Sequence, residues 1–398
     1  MTNNDFNKKL LEKQNPFPYP HPPEKPSFVI GGDRYLKWLK KVYTNTTKQE
    51  GTSGIFLVGR PGAGKTHLLR HLKYLFYEAG DYKGIYTMHT LSDLDINEAE
   101  REIWRELFMS QDSAGRLVSL ISKGKIESAM IRPDIESNLM NLRADKLGDE
   151  TRISLMRSLT NGELRRLVEH ISNLLPEGSI LCFALDNVEE YIGEGESYND
   201  TRVHGLFQKI RNMTSTLKRA LVILAITDEA WAKVKTAEPA RTKARRFRFA
   251  EEEMLLRELT LPECWNLVKR NMESWCDRNN LTLPHDNKEC LCSIDSENFS
   301  IYPFTPLAIE MARRVTDGLA GDITCFCAEC INEMRDSGKV DVVKSGLIID
   351  NLQRTANERS WLGWAPKLAE ELRELDPVIR RDALIGRLIH LTENARGK

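Results

Sequence analysis

Short apolar runs alternate with amphipathic segments along the first two thirds of the chain. The runs lie at residues 54–59, 83–90, 179–186 and 220–228, with a shorter one at 246–249. Each is nearly continuous in apolar residues, as expected of strands that are buried on both faces. The segments between them repeat apolar residues at helical spacing. This alternation predicts an α/β fold of three layers, in which helices cover both faces of a parallel sheet.

The same pattern predicts how the chain is organised, because the alternation stops near residue 260 and only helical periodicity follows. We predict four regions: residues 1–27, a proline-rich strap; 28–260, the α/β core; 261–338, a helical lid; and 339–398, a short helical extension.

The proline-rich stretch is "NPFPYPHPPEKP", residues 15–26. Proline fixes φ and lacks an amide donor, so this stretch favours an extended chain over a helix. Two readings stay open. It is either a disordered leader or a strap that packs on the following domain through Phe17 and Tyr19.

Composition narrows the class of protein. The 398 residues carry a net charge of −1, so there is no overall basic excess that would indicate a nucleic-acid binder. No apolar run approaches the roughly 20 residues that cross a bilayer, so no membrane partner is expected. Eight cysteines without a secretory signal indicate reduced thiols and a cytoplasmic protein.

A phosphate-binding loop follows the first apolar run. The stretch "GRPGAGKT" fits the pattern G-x-x-x-x-G-K-[ST] at Gly59, Gly64, Lys65 and Thr66. Its glycines, including Gly62, let main-chain amides approach phosphate oxygens, and the next helix points its N-terminal dipole at the same anion. Lys65 adds a positive charge for the β- and γ-phosphates, and Thr66 offers a hydroxyl to Mg²⁺. We therefore predict ATP and Mg²⁺ as cofactors.

Asp186 is the second candidate ligand for magnesium. It ends the apolar run "SILCFALD". A carboxylate at the carboxyl end of a buried strand lies in the crevice where α/β sheets bind ligands. The alternative is that Asp186 only caps the helix that follows.

With these motifs the chain resembles the AAA+ ATPases, nearest the branch of origin-recognition and initiator ATPases and of signal-transducing switch ATPases. Four further stretches carry the resemblance, and they occur in the same order as in the family, over roughly residues 28–337. They are "FVIGGDRYLKWL", "ILAITD", "ARRFRF" and "LTLPECWNLVKRNM" with "YPFTPLAIEMARRV". It implies that Thr227 or Asp228 senses the γ-phosphate and that Arg245 or Arg246 reaches a neighbour's nucleotide in a homo-oligomer. The nucleotide-binding residues that it implies are Val29, Ile30, Gly59, Pro61, Gly62, Ala63, Gly64, Lys65, Thr66 and His67.

This sequence departs from the family pattern in three places. The 119 residues between Thr66 and Asp186 are many for this family and imply a helical insertion at about residues 113–175. Asn187 stands where a glutamate usually polarises the attacking water, and an amide cannot take a proton, so this role falls to Glu189 or hydrolysis is slow. Glu189 on a solvated helix face is the alternative. The lid lacks the usual arginine at residues 318–324. Arg313 and Arg314, on the preceding helix, either substitute for it or form a solvated face.

The basic run "RTKARRFR", residues 241–248, has three readings. Arg245 and Arg246 can belong to a solvated strand edge, to the arginine finger that the resemblance implies, or to a nucleic-acid contact.

The spacing of the cysteines suggests zinc at first sight. Cys290 and Cys292, and Cys325, Cys327 and Cys330, form short-spaced groups. The second group, however, falls on one apolar face of a helix, where free cysteine packs as a small hydrophobe. Core packing is therefore preferred over a zinc site.

The reading that we favour is a cytoplasmic Mg²⁺-ATP-binding ATPase acting as an oligomeric switch. Its partner would be associated with DNA or with defence, bound through the helical insertion or the C-terminal extension, and DNA itself is a further candidate partner. The alternatives are a scaffold that clamps ATP without hydrolysing it and, less favoured, a small-molecule kinase.

Overall fold

The computed structural model describes the chain in segments. They are residues 3–17, 26, 28–48, 51–91, 103–104, 106–107, 112–113, 161–193, 199–236, 253–281, 303–304, 306–338 and 340. Their helices and strands are, in chain order, α1 (Asn3–Glu12), α2 (Gly32–Lys48), β1 (Gly51–Val58), α3 (Lys65–Tyr77), β2 (Gly84–Thr90), α4 (Asn161–Leu174), β3 (Ile180–Asp186), α5 (Val188–Ile192), α6 (Asp200–Thr214), β4 (Arg219–Ile226), α7 (Asp228–Thr236), β5 (Glu253–Leu255), α8 (Leu261–Arg278), α9 (Pro306–Val315) and α10 (Ala320–Ser337).

The five strands form one sheet in the order β2-β3-β4-β1-β5. Every pair of neighbouring strands is parallel. The predicted three-layer α/β core with a parallel sheet is therefore confirmed. Because parallel strands end at the same edge, the last residues of β1, β4 and β3 lie at one edge of the sheet. The phosphate loop begins after β1, Thr227 follows β4, and Asp186 is the last residue of β3.

Continuous burial explains why the apolar runs became strands. All residues of β3 are buried, and so are those of β4 after Arg219. Large rings fill the space between the sheet and its helices. Phe56 lies 3.9 Å from Trp231 between ring centroids, and Trp104 meets Phe183 edge-on at 5.8 Å. Such rings bury 150–250 Å² each in proteins generally, which makes them large contributors to the core.

The edge strand β2 is bonded by a tyrosine of α3. Tyr77 Oη donates to the carbonyl oxygen of Tyr86 at 2.6 Å and accepts from the Tyr86 N–H at 2.9 Å. An edge strand presents main-chain groups to which another chain can pair. The Tyr77 hydroxyl bonds the N–H and the carbonyl oxygen of Tyr86, so these two groups of β2 already have a partner in the same chain.

The described chain forms two compact units. The α/β unit spans Glu24–Pro61 and Lys65–Leu256. The helical unit contains Met1–Pro23, Gly62–Gly64 and Arg257–Lys398. The three loop residues belong to the helical unit, in which the Gly321 N–H donates to the Gly62 carbonyl oxygen at 2.8 Å.

An N-terminal helix packs within the helical unit. Phe6 of α1 meets Trp275 of α8 edge-on, with 5.6 Å between ring centroids. Arg335 Nε of α10 donates to the Leu10 carbonyl oxygen at 3.0 Å. The ring of Phe17 packs on the ring of Phe304, with 5.5 Å between centroids. Phe17 therefore contacts the helical unit, and not the α/β domain that follows it in the sequence. Tyr19 lies outside the described residues. Sequence pattern assigned no element to residues 3–12.

The described cysteines of the helical unit are buried. Cys325, Cys327 and Cys330 are at most 1% exposed on α10. Burial raises the pKa of Cys264 to about 12 and raises that of Cys327 well above its ordinary value. In the described part of the chain no group of three or more candidate side chains could hold a metal ion. The described cysteines are therefore packed in the core, and Cys290 and Cys292 lie outside the described residues.

Several predicted features lie largely or wholly outside the described ranges. They are the strand at 246–249, most of the insertion at 113–175 and nearly all of the extension at 339–398. The strand that the structure describes next to β1, on the side away from β4, is β5 at Glu253–Leu255. In the described residues, no helix is both long and apolar enough to cross a membrane.

Candidate nucleotide-binding site

The loop between β1 and α3 has the backbone conformation that its glycines allow. Gly62 has a φ of 80° and Gly64 a φ of 94°. Residues with a Cβ rarely adopt this left-handed region, so glycine is needed at both positions. A Cβ on Gly62 would also lie 3.1 Å from Asp322 Oδ2. Gly59 fixes the start of the loop, where its N–H donates to the Ile226 carbonyl oxygen at 3.2 Å.

Lys65 opens α3 with its ammonium group drawn back toward the start of the loop. The side chain is buried, and Nζ donates to the carbonyl oxygens of Gly59 at 2.7 Å and Arg60 at 3.3 Å. The first N–H groups of a helix have no partner within that helix. A positive side chain beside the first amides of a helix is the chemistry that binds phosphate.

Asp186 and Thr66 join β3 to the start of α3. Thr66 Oγ1 donates to Asp186 Oδ2 at 2.7 Å. Asp186 is 2% exposed, and its Oδ1 has no hydrogen-bond partner among the described residues. Burial raises the pKa of Asp186, while the Thr66 hydroxyl and the charge of Lys65 oppose that shift. A buried carboxylate oxygen that still needs a positive partner, next to a hydroxyl, fits Mg²⁺, which takes few protein ligands besides phosphate oxygens.

The residue after Asp186 has an unusual backbone. Asn187 adopts the left-handed conformation, with φ 55° and ψ 44°, and precedes the short helix α5. Its Nδ2 donates to Glu190 Oε1 at 2.8 Å. The cap position of α5 therefore belongs to Asn187, and Asp186 is not a helix cap.

Glu189 points toward β4 and is half-buried. Its Oε2 accepts a hydrogen bond from the Thr227 N–H at 3.2 Å. Both residues follow strands that are neighbours in the sheet. Glu189 is therefore not on a solvated helix face.

Thr227 lies between the end of β4 and the start of α7. It is 3% exposed, and its Oγ1 accepts from the Ala230 N–H at 3.4 Å. Asp228, the other candidate sensor, is exposed, and its Oδ1 accepts from the Glu229 N–H at 3.1 Å. The buried threonine is thus the candidate that lies inside the site.

A segment before α2 lies against α3. His67 Nε2 is 2.9 Å from the Phe28 carbonyl oxygen. The next residues, Val29 and Ile30, are half-buried. Burial lowers the pKa of His67 below its ordinary value, which favours the neutral ring. Phe28, which directly precedes Val29 and Ile30, thus contacts the phosphate-loop helix.

One contact of this segment was missed by sequence reasoning. His71 Nδ1 lies 2.7 Å from the Pro26 carbonyl oxygen. The spacing of His67 and His71, four residues apart on one helix, is a signal that could have indicated a shared neighbour.

The candidate arginines divide into two groups. Arg245 and Arg246 lie outside the described residues. Arg313 forms a bidentate pair with Glu310, at 2.8 and 3.0 Å, and Arg314 Nε donates to the same carboxylate at 2.5 Å. The two arginines of α9 are therefore engaged in ion pairs on their own helix. Pro61 and Ala63 complete the phosphate loop between the glycines.

Comparison with solved structures finds weak similarity to several proteins. The Orc1 protein of Aeropyrum pernix, solved with DNA, shares 13% identity over 97% of this chain and 87% of that chain, with a TM-score of 0.43. Cdc6p of Pyrobaculum aerophilum shares 12% identity over 93% of this chain and 97% of that chain, with a TM-score of 0.45. A Walker-type ATPase of Pyrococcus abyssi shares 15% identity over 89% of this chain and 78% of that chain, with a TM-score of 0.40.

No protein-family model and no curated protein matches the chain. Because the TM-scores are below 0.5, we base the fold on this chain's own strand order and phosphate loop. The parallel sheet, with β4 between β1 and β3 and the phosphate-loop motif after β1, forms a three-layer α/β core of the P-loop kind.

Proposed function

We propose that the chain binds Mg²⁺-ATP and hydrolyses it, as an oligomeric nucleotide-driven switch that acts on a partner associated with DNA or with defence. The hydrogen bond of 2.7 Å between Thr66 Oγ1 and Asp186 Oδ2 carries the proposal. It joins the phosphate loop to an acidic strand end with an oxygen left for a cation, and a plain strand-to-helix turn requires neither.

Each residue has a separate task in this scheme. Lys65 would leave the carbonyl oxygens of Gly59 and Arg60 for the β- and γ-phosphates, while the loop amides bind the same oxygens. Thr66 and Asp186 would hold Mg²⁺, whose charge offsets the charge of the phosphates. Glu189 would accept a proton from the attacking water, and Thr227 would hold Glu189 through its N–H.

Calorimetry with ATP and GTP tests binding directly. We expect heat with at least one of them and a large loss of affinity in Lys65→Ala, with Lys73→Ala on the same helix as the control. Absence of heat with either nucleotide, on folded protein and in every assembly state, would overturn the proposal. Steady-state release of phosphate, abolished by Lys65→Ala, then tests hydrolysis.

Arg245 and Arg246 are proposed to act on the nucleotide of a neighbouring subunit. Arginine fingers of this kind raise rates by about 10³–10⁵ in other ATPases and GTPases. If this holds, mixing inactive Lys65→Ala subunits with inactive Arg246→Ala subunits restores part of the activity, because each supplies what the other lacks. No restoration in a mixed oligomer would remove the finger.

A DNA contact by the same basic run is a separate possibility for the partner. Binding to duplex DNA that weakens with salt, and that is lost when Arg245 and Arg246 are both changed to Glu, would support it.

A scaffold that holds ATP without turnover is the second candidate function. Asn187 favours it, because the residue directly after Asp186 carries an amide bonded to Glu190 and cannot act as a base. Retention of intact ATP through gel filtration, together with no phosphate release, would select the scaffold over the ATPase.

A further inference from the structure

One residue turns the chain at the carboxyl end of β3. Asn187 has φ 55° and ψ 44°, in the left-handed region that residues with a Cβ rarely adopt. Among the described residues of the α/β unit, it is the one residue other than glycine with a positive φ. Asparagine enters this region more readily than most residues, because its short polar side chain can bond nearby groups. Asn187 Nδ2 makes such a bond, donating to Glu190 Oε1 at 2.8 Å.

The short helix α5 starts directly after this turn and is fixed by its apolar side. Three of its five residues are at most 4% exposed, namely Val188, Tyr191 and Ile192. The helix ends at Gly193, which has a φ of 82° and whose N–H donates to the Glu189 carbonyl oxygen at 2.8 Å. Left-handed residues therefore stand at both ends of α5, and the turn at Asn187 sets the direction in which Glu189 leaves the strand.

The same turn lies between two carboxylates with different partners. Asp186, the last residue of β3, accepts from the Thr66 hydroxyl at 2.7 Å. Glu189 accepts from the Thr227 N–H at 3.2 Å. Burial raises the pKa of Asp186, and the main-chain N–H of Asn187 is one of the groups that oppose this rise. The main chain of Asn187 thus acts on one carboxylate, and its turn leads the chain to the other.

We propose that Asn187 is a positioning residue, whose left-handed backbone directs Glu189 toward Thr227. The inference rests on the proposed ATPase, because Glu189 is the base in that scheme. A glutamate at position 187 would disfavour this backbone, since only glycine and short polar side chains adopt it routinely. Asparagine at this position therefore serves turnover through its conformation and not through proton transfer.

The first test compares valine with glycine at position 187. Asn187→Val disfavours a positive φ, so kcat for phosphate release should fall about tenfold or more, with ATP affinity by calorimetry within about twofold. Asn187→Gly adopts a positive φ freely and should rescue kcat to within about threefold of wild type. Asn212→Val, an exposed change within α6, is the control. If Asn187→Val does not fold, Asn187→Ala replaces it and should also be slower than Asn187→Gly.

Asn187→Glu gives the clearest contrast between conformation and proton transfer. If a missing carboxylate at position 187 limited the rate, this variant would be faster than wild type. We expect it to be slower, because it disturbs the backbone that places Glu189. In the Glu189→Gln background, Asn187→Val should lower kcat by no more than about twofold further, because Asn187 acts through Glu189.

Hydrogen exchange of one amide follows the same contact without nucleotide. The Thr227 N–H is bonded to Glu189, so losing that contact should expose it to exchange. We expect its exchange, measured by NMR, to be about tenfold faster in Asn187→Val and unchanged in Asn187→Gly.

Three outcomes would overturn the inference. They are faster turnover in Asn187→Glu, equal rates in Asn187→Val and Asn187→Gly, and a further loss of about tenfold in the double variant. If the wild-type protein releases no phosphate, the proposed ATPase fails instead, and exchange of the Thr227 amide alone decides whether Asn187 places Glu189.

Discussion

The carboxylate of Glu189 accepts a hydrogen bond from the main-chain N–H of Thr227, with 3.2 Å between oxygen and nitrogen. The bond spans the carboxyl ends of β3 and β4, between Asp186 and the start of α7. It orients a carboxylate at the edge of the sheet where the proposed phosphates would react. Two roles follow for Glu189, as a proton acceptor and as a support for Thr227.

Glu189→Gln separates these roles. The amide oxygen of glutamine can still accept from the Thr227 N–H, but the side chain cannot take a proton. We expect phosphate release to fall about 100-fold or more, with ATP affinity unchanged. Glu190→Gln on the same short helix is the matched control and should stay within about twofold. Unchanged turnover in Glu189→Gln would remove Glu189 as the base.

Thr66→Val tests the magnesium ligand. Valine removes the hydroxyl that bonds Asp186 and nearly preserves the shape of the side chain. We expect the gain in ATP affinity that Mg²⁺ provides to fall about tenfold. The measurement is calorimetry in Mg²⁺ and in EDTA, and Thr66→Ser should retain the gain. An equal gain in all three proteins would assign the cation elsewhere.

Tyr77→Phe tests the protection of β2. The change removes the hydroxyl that bonds both main-chain groups of Tyr86. We expect a loss of about 1–3 kcal/mol in the free energy of unfolding of the α/β unit, measured by urea denaturation. Tyr74→Phe, one turn away and stacked on His71, controls for loss of a hydroxyl from the same helix. A loss of the same size in both variants would contradict a specific role for Tyr77.

Phe6→Ala tests the packing of α1 in the helical unit. Phe6 is 2% exposed against Trp275, so its truncation leaves a cavity in the core of this unit. We expect about 3–5 kcal/mol less protection against hydrogen exchange in α8 and α10, resolved by peptide, with β3 and β4 unchanged. Lys8→Ala, an exposed change on the same helix, is the control. Unaltered exchange in α8 would show that α1 does not stabilise the unit.

Local pattern predicted the features that depend on neighbours in the sequence. Strands β1 to β4 follow from continuous apolar runs, because only strands buried on both faces are apolar throughout. The phosphate loop follows from glycines, a lysine and a threonine at fixed spacing, because the loop is built from its own main chain. Asp186 was found in the same way, as the acidic end of a buried run.

Other features depend on residues that are distant in the sequence. Examples are the hydrogen bond that the Thr227 N–H donates to Glu189 and the bonds of His67 and His71 to the carbonyl oxygens of Phe28 and Pro26. Nothing in the local sequence around one partner specifies the other, since the two meet only in the folded chain.

The sequence by itself determined where strands β1 to β4 lie along the chain and the chemistry of the phosphate loop, because periodicity and motif spacing are properties of short stretches. Only the tertiary structure decided that α1 packs with α8 and α10, that Glu189 faces Thr227 and that two histidines hold one segment. These choices are made when apolar surface and polar groups from distant segments become buried together, and their partners exist only in the folded chain.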